Sequence, residues 1–449
     1  MFFTLYNLNI MKKVALISYG CAKNLVDSEV MLGYLSEAGY FFVTDPEEAD
    51  VVIINTCGFI KPAKEEAFDA LRKAVELKGR RKEKKIIVVG CFVERYKDSL
   101  GGKFPQIDVW LGVNDFHRIV QAVEDKSFKK SKECFLYNHS SPRYLSTPPA
   151  WVYLKISEGC THECSFCSIP LIKGPYRSRP ISSILQEARH LASLGVKEIN
   201  LISQDTTYFG RDRGLKDGLS LLLKELLKIK DIEWIRTLYG YPEEISDSLL
   251  EVMRERKICS YLDIPFQHSD SKIIKKMKRG LDRERALELI KKIRNKIPDI
   301  ALRTSLIVGF PGEGKKEFED LKEFCQEAKF DHLGVFIYSQ EEGTSSFSLG
   351  DSVEEKEKIK RKEEIMKIQA EISFQKNCER LNKQIEVLIE GTLKEDSEVL
   401  MGRTRFQAPE VDGVVFIPFS GEKTKVVNSI KKVEIVDCDA YDLYGKLIQ

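Results

Sequence analysis

Six short apolar runs, each typical of a β-strand, alternate with helical stretches between residues 150 and 375. The runs are WVYLKIS, EINLIS, WIRTLYG, YLDIPF, ALRTSLIVGF and HLGVFIYS. Strands separated by helices pair in parallel through right-handed crossovers, so this region is predicted to form a parallel barrel, or a partial barrel, of the (βα)6 type. Barrels of this kind place their chemistry at the carboxyl ends of the strands.

A smaller alternation of the same kind fills residues 12–125, with strand-like runs KKVALISYG, ADVVIINTC, KKIIVVGC and DVWLGV. This pattern predicts an open parallel α/β domain. Cys21, Cys57 and Cys91 each come at or just after the end of one run, where open α/β sheets form their ligand-binding crevice. One such cysteine is more often a small buried side chain, but three at equivalent positions favour a shared ligand.

The rest of the chain divides into a connector and two further domains. Residues 126–148 are charged and then rich in Ser and Pro, which is typical of a linker. Residues 149–377 carry the predicted barrel. Residues 378–449 hold short strand-like runs with turn residues between them, which predicts a small antiparallel β-barrel.

Two features near the last boundary are expected to be purely structural. The stretch 354–380 mixes charges of both signs and is expected to form an exposed helix. Cys378 and Cys438 are expected to have no partners nearby.

Composition bounds the compartment and the use of cysteine. Lys and Arg number 71 against 69 Asp and Glu, and a net charge of +2 gives no global sign of nucleic acid or membrane binding. No apolar run approaches the ~20 residues that span a bilayer, and the start lacks the pattern of a signal peptide, so the expected compartment is cytoplasmic. Thiols stay reduced there, so the 11 cysteines predict metal ligation or catalysis where they cluster.

The tightest cluster follows the first barrel strand and contains Cys160, Cys164 and Cys167. A structural zinc site uses four ligands, and His162, inside the same short loop, is not expected to be the fourth. Thiolates at short spacings are typical of iron–sulfur clusters. Three thiolates bind three irons of a 4Fe–4S cluster and leave the fourth iron open for a substrate or cofactor.

A CxxxCxxC loop after the first strand of a βα barrel resembles the radical S-adenosylmethionine (SAM) enzymes. The resemblance implies that the open iron chelates SAM and that Phe166, before the third cysteine, faces the adenine. It also implies that Ser203, Gln204 and Asp205, after the second strand, hold the methionine amine. The stretch IVGFPGE, residues 307–313, is either an adenosine contact of that superfamily or an ordinary Gly-Pro turn.

Taken together after residue 11, the three domains resemble the methylthiotransferases, whose third domain is called TRAM. In that family Cys21, Cys57 and Cys91 would hold a second 4Fe–4S cluster, whose open iron carries the sulfur. One S-adenosyl-L-methionine would methylate this sulfur. Another, cleaved at the barrel cluster, would give a radical that takes hydrogen from the substrate carbon. No side chain is expected to act as a general acid or base.

The family has two main branches. One acts on isopentenyladenosine in tRNA and is the alternative here; the other modifies the β-carbon of an aspartate in small-subunit ribosomal protein twelve. The stretches GCAKNLVDSE, NTCGFIKPAKEEA, GCFVERY, CSFCSIPLIKGPYRSRP and APEVDGVVF resemble the ribosomal-protein branch. Residues 378–449 carry 10 basic and 13 acidic residues, and this acidic balance fits a basic protein better than tRNA.

An electron donor is expected as a second partner, the chain is expected to be a monomer, and no membrane association is expected. The third domain is expected only to append a recognition surface. A different class of protein, a non-catalytic iron–sulfur or zinc protein that binds RNA, would need four ligands at each metal and a basic third domain. The sequence shows neither.

Overall fold

The computed structural model describes residues 12–125 and 134–448. Contacts divide the chain into two compact units, which are described separately. The first unit contains Met1–Ser146 with Leu171–Lys173, and the second contains Thr147–Pro170 with Gly174–Gln449. Among the described helices, none is long and apolar enough to cross a membrane.

The first unit is built on an open sheet whose strands are all parallel, in the order β2-β1-β3-β4-β5. Its strands are β1 Lys13–Ser18, β2 Phe41–Phe42, β3 Val51–Thr56, β4 Lys85–Gly90 and β5 Val109–Leu111. Its helices are α1 Ala22–Glu37, α2 Lys61–Arg80, α3 Cys91–Leu100 and α4 Ile119–Glu124. The β-branched strand β3 is buried along its whole length, as expected for a central strand of a parallel sheet. The predicted open parallel α/β domain is confirmed, with β2 as an additional short edge strand.

The later part of the predicted linker packs on the first unit. Buried Glu29 of α1 pairs with Arg143 at 2.6 Å and accepts a hydrogen bond from the backbone N–H of Ser146 at 2.8 Å. Tyr137 is also buried. The earlier part of the predicted linker, residues 126–133, lies outside the described residues.

The second unit begins with a partial barrel of six parallel strands. Its strands are β6 Trp151–Lys155, β9 Glu198–Ile202, β10 Trp234–Thr237, β11 Tyr261–Asp263, β12 Ala301–Val308 and β13 His332–Ile337, with a small ribbon of β7 Ser157–Glu158 and β8 Arg177–Ser178. Its helices are α6 Ile181–Ser193, α7 Gly218–Leu226, α8 Asp247–Val252, α9 Ser271–Lys276, α10 Arg283–Lys296, α11 Lys315–Ala328 and α12 Glu355–Cys378. The short helix α5 Ile169–Lys173 begins in this unit, and its residues Leu171–Lys173 belong to the first. The strands pair as β10-β9-β6 and β11-β12-β13. An isolated bridge pairs Ile235 of β10 with Ile258, three residues before β11 begins, so the two sheets lie side by side and the six strands follow one another in chain order.

Helix α12 is not the exposed helix that its charges predict. Arg361, Ile365, Gln369 and Ser373 lie one turn apart and are all buried. The Arg361 guanidinium pairs with buried Glu313 at 2.7 Å. The sequence pattern concealed this contact because three of the four buried side chains are polar.

The C-terminal strands close into a small barrel in the order β14-β15-β16-β18-β17. They are β14 Gln384–Thr392, β15 Val399–Thr404, β16 Val415–Pro418, β17 Ser429–Cys438 and β18 Leu443–Leu447. The predicted barrel is confirmed, with one difference: β16 and β18 pair in parallel while the other pairs are antiparallel. Cys378 and Cys438 do have a partner, because their sulfurs lie 3.6 Å apart.

This C-terminal barrel covers the amino-terminal ends of the parallel strands. Glu198, the first residue of β9, is fully buried between two arginines. Arg236 of β10 donates to it at 2.8 Å, and Arg403 of β15 donates to its other oxygen at 2.5 Å. Nearby, the Tyr261 hydroxyl donates to Asp412 at 2.7 Å. The expectation that the third domain only appends a surface is therefore wrong.

Candidate cluster-binding sites

The first unit brings the loops of Cys21, Cys57 and Cys91 together at the carboxyl ends of β1, β3 and β4. Gly20 and Gly58 show how close the loops are. A methyl group on Gly20, whose φ is +97°, would lie 2.8 Å from the β-carbon of Cys57. A methyl group on Gly58 would lie 2.7 Å from the α-carbon of Phe92, next to Cys91. Only glycine permits these approaches.

Asn24 ties the same three strand ends together. Its side-chain amide donates to the carbonyls of Tyr19 and Thr56, at 3.1 and 3.2 Å. Its carbonyl oxygen lies 3.7 Å from the sulfur of Cys91, which donates to it. Asn24 is itself buried, so these bonds replace those it would make to water.

The environment of Cys57 disfavours a charged thiolate unless a cation is present. Burial, together with a smaller contribution from the neighbouring Cys21 thiol, raises the pKa of Cys57 to about 11. Cys91 is buried, whereas Cys21 is exposed. Three neighbouring thiolates fit a positively charged metal group because its charge offsets their mutual repulsion and the burial of Cys57 and Cys91.

The second unit places Cys160, Cys164 and Cys167 in a loop beyond the carboxyl end of β6. The ends of the loop are fixed by backbone bonds: the N–H of Cys160 donates to Gly174 at 3.1 Å, and that of Cys167 donates to Cys164 at 3.1 Å. Gly159 precedes the loop at a φ of +85°, and a methyl group there would lie 2.2 Å from the Pro175 carbonyl.

Later parts of the chain hold the middle of this loop. The N–H of Ser165 donates to the Met277 carbonyl at 3.0 Å, and the Ser165 carbonyl accepts from Ser346 at 2.8 Å. Phe166 packs against an apolar cluster formed by Ile273, Met277, Ile307, Phe310 and Tyr338. This packing holds Phe166 beside the cysteines, and the adenine contact predicted for it stays a prediction.

The barrel thiols influence one another. Burial raises the pKa of Cys160 to about 11 and that of Cys167 to about 12, and in both cases the Cys164 thiol adds to the rise. This environment again fits a cationic group. Among the described residues, no three Cys, His, Asp or Glu side chains converge as a metal-binding set.

His162 and Asp205 bind each other. The Nε2 atom of His162 lies 2.5 Å from Asp205, and its ring stacks on Tyr241 at 3.7 Å. The other oxygen of Asp205 accepts from the backbone N–H groups of Thr207 and Tyr208 at 2.8 and 3.2 Å. Asp205 thus braces the cysteine loop, and the role predicted for it at the methionine amine stays a prediction.

Gln204 and Ser203 lie beside the same loop. Ser203 is fully buried after β9. The Gln204 amide donates to Glu158 at 2.5 Å, and Glu158 accepts from Lys155 at 2.8 Å. The carbonyl oxygen of Gln204 is buried and lacks a hydrogen-bond partner within the described chain. An ammonium group would satisfy this acceptor, so the site fits the amine of SAM.

Sequence reasoning missed Asn24 and Glu158. It also missed Tyr241 and Arg279, which are far from the barrel loop in sequence but contact it in the fold. Glu158 could have been suspected, because it stands two residues before the first cysteine of the loop. Tyr241 and Arg279 carry no motif, and only the fold places them at the cysteines.

Three family models match successive parts of the chain. They are described as Uncharacterized protein family UPF0004 over residues 13–112, Radical SAM superfamily over residues 154–325, and TRAM domain over residues 383–448.

Relatives match over nearly the full chain. A ribosomal protein uS12 methylthiotransferase RimO of Citrifermentans bemidjiense is 43% identical, over 97% of this chain and 98% of its own. The protein of the same description from Caldanaerobacter subterraneus subsp. tengcongensis is 45% identical, over 97% of this chain and 100% of its own.

Solved structures agree at the level of fold. The radical SAM methyltransferase TsrM from Kitasatospora setae, solved with tryptophan and a SAM analogue, superposes with a TM-score of 0.53 over 72% of each chain at 12% identity. The cobalamin-dependent SAM radical enzyme OxsB gives 0.51 over 80% of this chain and 56% of that chain, also at 12% identity.

Proposed function

The chain belongs to the RimO family of ribosomal protein uS12 methylthiotransferases, and from this premise we propose that it transfers a methylthio group to the β-carbon of an aspartate in that ribosomal protein. The observation that carries the proposal is the pairing of two three-cysteine sites, in separate units, with full-length similarity to this family. The tRNA alternative is not favoured by these relatives.

Cys160, Cys164 and Cys167 would hold the 4Fe–4S cluster of a radical SAM enzyme. When bound there, the cluster and SAM supply a 5′-deoxyadenosyl radical that takes a hydrogen atom from the substrate carbon. The chain's own part is to position these groups. Phe166 would provide an apolar wall for the adenine, and the unpartnered oxygen of Gln204, with Ser203 and Asp205 nearby, would receive the methionine amine.

Cys21, Cys57 and Cys91 would hold a second 4Fe–4S cluster that carries the sulfur. Support comes from the close packing at Gly20 and Gly58, from the hydrogen bonds of Asn24, and from the burial of Cys57, which makes its thiolate depend on a cation. A low-potential one-electron donor is a further partner in this proposal. We also propose that the enzyme acts as a monomer in the cytoplasm, where its ribosomal substrate is found.

The two clusters can be tested separately. Replacing Cys21, Cys57 and Cys91 together by Ala should halve the iron of anaerobically reconstituted protein. Because the barrel site remains, this variant should still release 5′-deoxyadenosine from SAM under strong reductant but form no methylthio-aspartate. Replacing the barrel triplet by Ala should abolish both products. Mass spectrometry of 5′-deoxyadenosine and of the uS12 peptide measures both outcomes.

Cys134 offers a matched control, because it is an exposed cysteine outside both triplets, and C134A should keep both clusters and both products. Methylthio-aspartate formed by the N-terminal triple variant would contradict the assignment of those cysteines. Modification of tRNA with none of uS12 by the unaltered enzyme would contradict the substrate.

A further inference from the structure

Cys164 is contacted by a guanidinium from a distant part of the chain. The Nη1 atom of Arg279 lies 3.6 Å from the sulfur of Cys164, in hydrogen-bonding geometry. Its other terminal nitrogen donates to the Pro265 carbonyl at 2.8 Å. Arginine does not lose its proton in proteins, so a permanent positive charge points at one predicted cluster ligand.

The turn after α9 places Arg279 at this sulfur. The N–H of Lys278 donates to Lys275, and the N–H of Arg279 donates to Ile274, which is the bonding pattern of a Schellman turn. Lys278 occupies the left-handed position, with a φ of +54°, where glycine is usual and a residue with a β-carbon is strained. The strained residue, Lys278, directly precedes Arg279, and the turn that it forms brings Arg279 to the cysteine loop.

An aromatic ring packs against the face of the Arg279 guanidinium. Its guanidinium lies 3.9 Å over the ring of Tyr241, and the Tyr241 ring stacks on His162 at 3.7 Å. Arg279, Tyr241 and His162 form a stack alongside the loop. Such stacking limits the motion of the guanidinium, so its hydrogen bond to Cys164 has a defined direction.

We propose that Arg279 is a positioning residue that tunes the barrel cluster: it donates to the ligating sulfur of Cys164 and thereby raises the reduction potential of that cluster. The proposal rests on the barrel triplet as the cluster site. A reduced cluster carries one more negative charge than an oxidised one. A donor or positive charge beside a ligating sulfur therefore stabilises the reduced form more. The consequence is a cluster that a cellular one-electron donor can reduce more readily.

The test is a potentiometric titration followed by electron paramagnetic resonance. The full chain would carry Ala at Cys21, Cys57 and Cys91, so that only the barrel cluster contributes. In R279Q, we expect about a tenfold lower ratio of reduced to oxidised cluster at a fixed poise, which is a downward shift of about 59 mV for a one-electron couple. R279K keeps the charge but not the planar donor, and should shift in the same direction by less.

Lys278 supplies the matched control. It is the adjacent residue and also cationic, but its amine is half exposed and lies 3.9 Å from exposed Glu163. K278N removes that charge with a residue that tolerates the left-handed conformation, and should leave the potential unchanged. Equal shifts in R279Q and K278N would overturn the proposal, as would an unchanged potential in R279Q with full iron content. If R279Q binds no iron, R279K decides: a native potential there overturns the hydrogen-bonding role, and a lowered potential supports it. Full iron and normal 5′-deoxyadenosine release by the unaltered enzyme test the proposed function independently.

Discussion

The geometry of the N-terminal site requires that Gly58 has no β-carbon. The loops that carry Cys57 and Cys91 meet at its α-carbon, and a side chain there would overlap the backbone of Phe92. Neither backbone can yield without moving a predicted ligand. Sequence reasoning found the three cysteines from their positions after strands, but it could not find this requirement, because a glycine letter does not reveal its neighbours.

G58A should therefore selectively impair the second cluster that we propose for the N-terminal site. The added methyl group separates the two loops, so we expect iron content to fall by about half while 5′-deoxyadenosine release from the barrel site persists. Iron analysis beside product analysis measures this. G79A is the matched control, since nothing lies within 4 Å of a methyl group there and alanine is a better helix former than glycine. Full iron in G58A would contradict the close-packing argument.

At the scale of elements, the strand pattern was the most reliable guide. All six barrel runs and the four N-terminal runs form strands, because buried parallel strands need continuous β-branched and apolar residues. The two-residue β2 and the polar buried face of α12 were missed for opposite reasons. β2 is too short to produce a pattern, and α12 is buried through hydrogen bonds and ion pairs that hydropathy cannot register.

Arg361 tests the role of α12. Its partner Glu313 is fully buried, contacts His268 at 3.4 Å and accepts from the N–H of Gly309 at 2.9 Å. R361M leaves that carboxylate with less compensation in the interior, so unfolding free energy should fall by about 3–5 kcal/mol. Anaerobic urea denaturation followed by circular dichroism measures the loss. K362M, at the adjacent exposed position, should change stability by less than about 0.5 kcal/mol, and an equal loss in both variants would refute a specific role for the pair.

At the scale of the molecule, the ion network around Glu198 makes the C-terminal barrel a part of the second unit. Burial by itself would raise the pKa of Glu198, but Arg403 and Arg236 hold it below its ordinary value. Arg403 also pairs with Glu390 at 2.5 Å. Fold class and the family of the C-terminal domain could be read from the sequence, but this interface could not, since its partners are 205 residues apart.

R403M should destabilise the second unit by about 3–5 kcal/mol, because it removes one partner of a buried carboxylate. It should also lower 5′-deoxyadenosine release at temperatures where the unit begins to unfold. Thermal and urea denaturation of the reconstituted enzyme provide the measurement. K446M breaks a surface pair with Glu434 and should cost at most about 1 kcal/mol. Comparable losses in the two variants would show that the buried network stabilises the fold no more than the surface pair does.

The separation of Glu198 and Arg403 in sequence also means that the first is synthesised well before the second. A ribosome adding about 5–20 residues per second needs roughly 10–40 s to pass from one to the other. During that interval, Glu198 lies at the amino-terminal end of the nascent parallel barrel with Arg236 as a partner, but Arg403 has not yet been synthesised. A chain released early, by a nonsense codon before position 403, would keep every cysteine of both triplets and yet lack the closure that shields this group. Quality-control proteases should clear such fragments, so premature termination should yield no partly active enzyme.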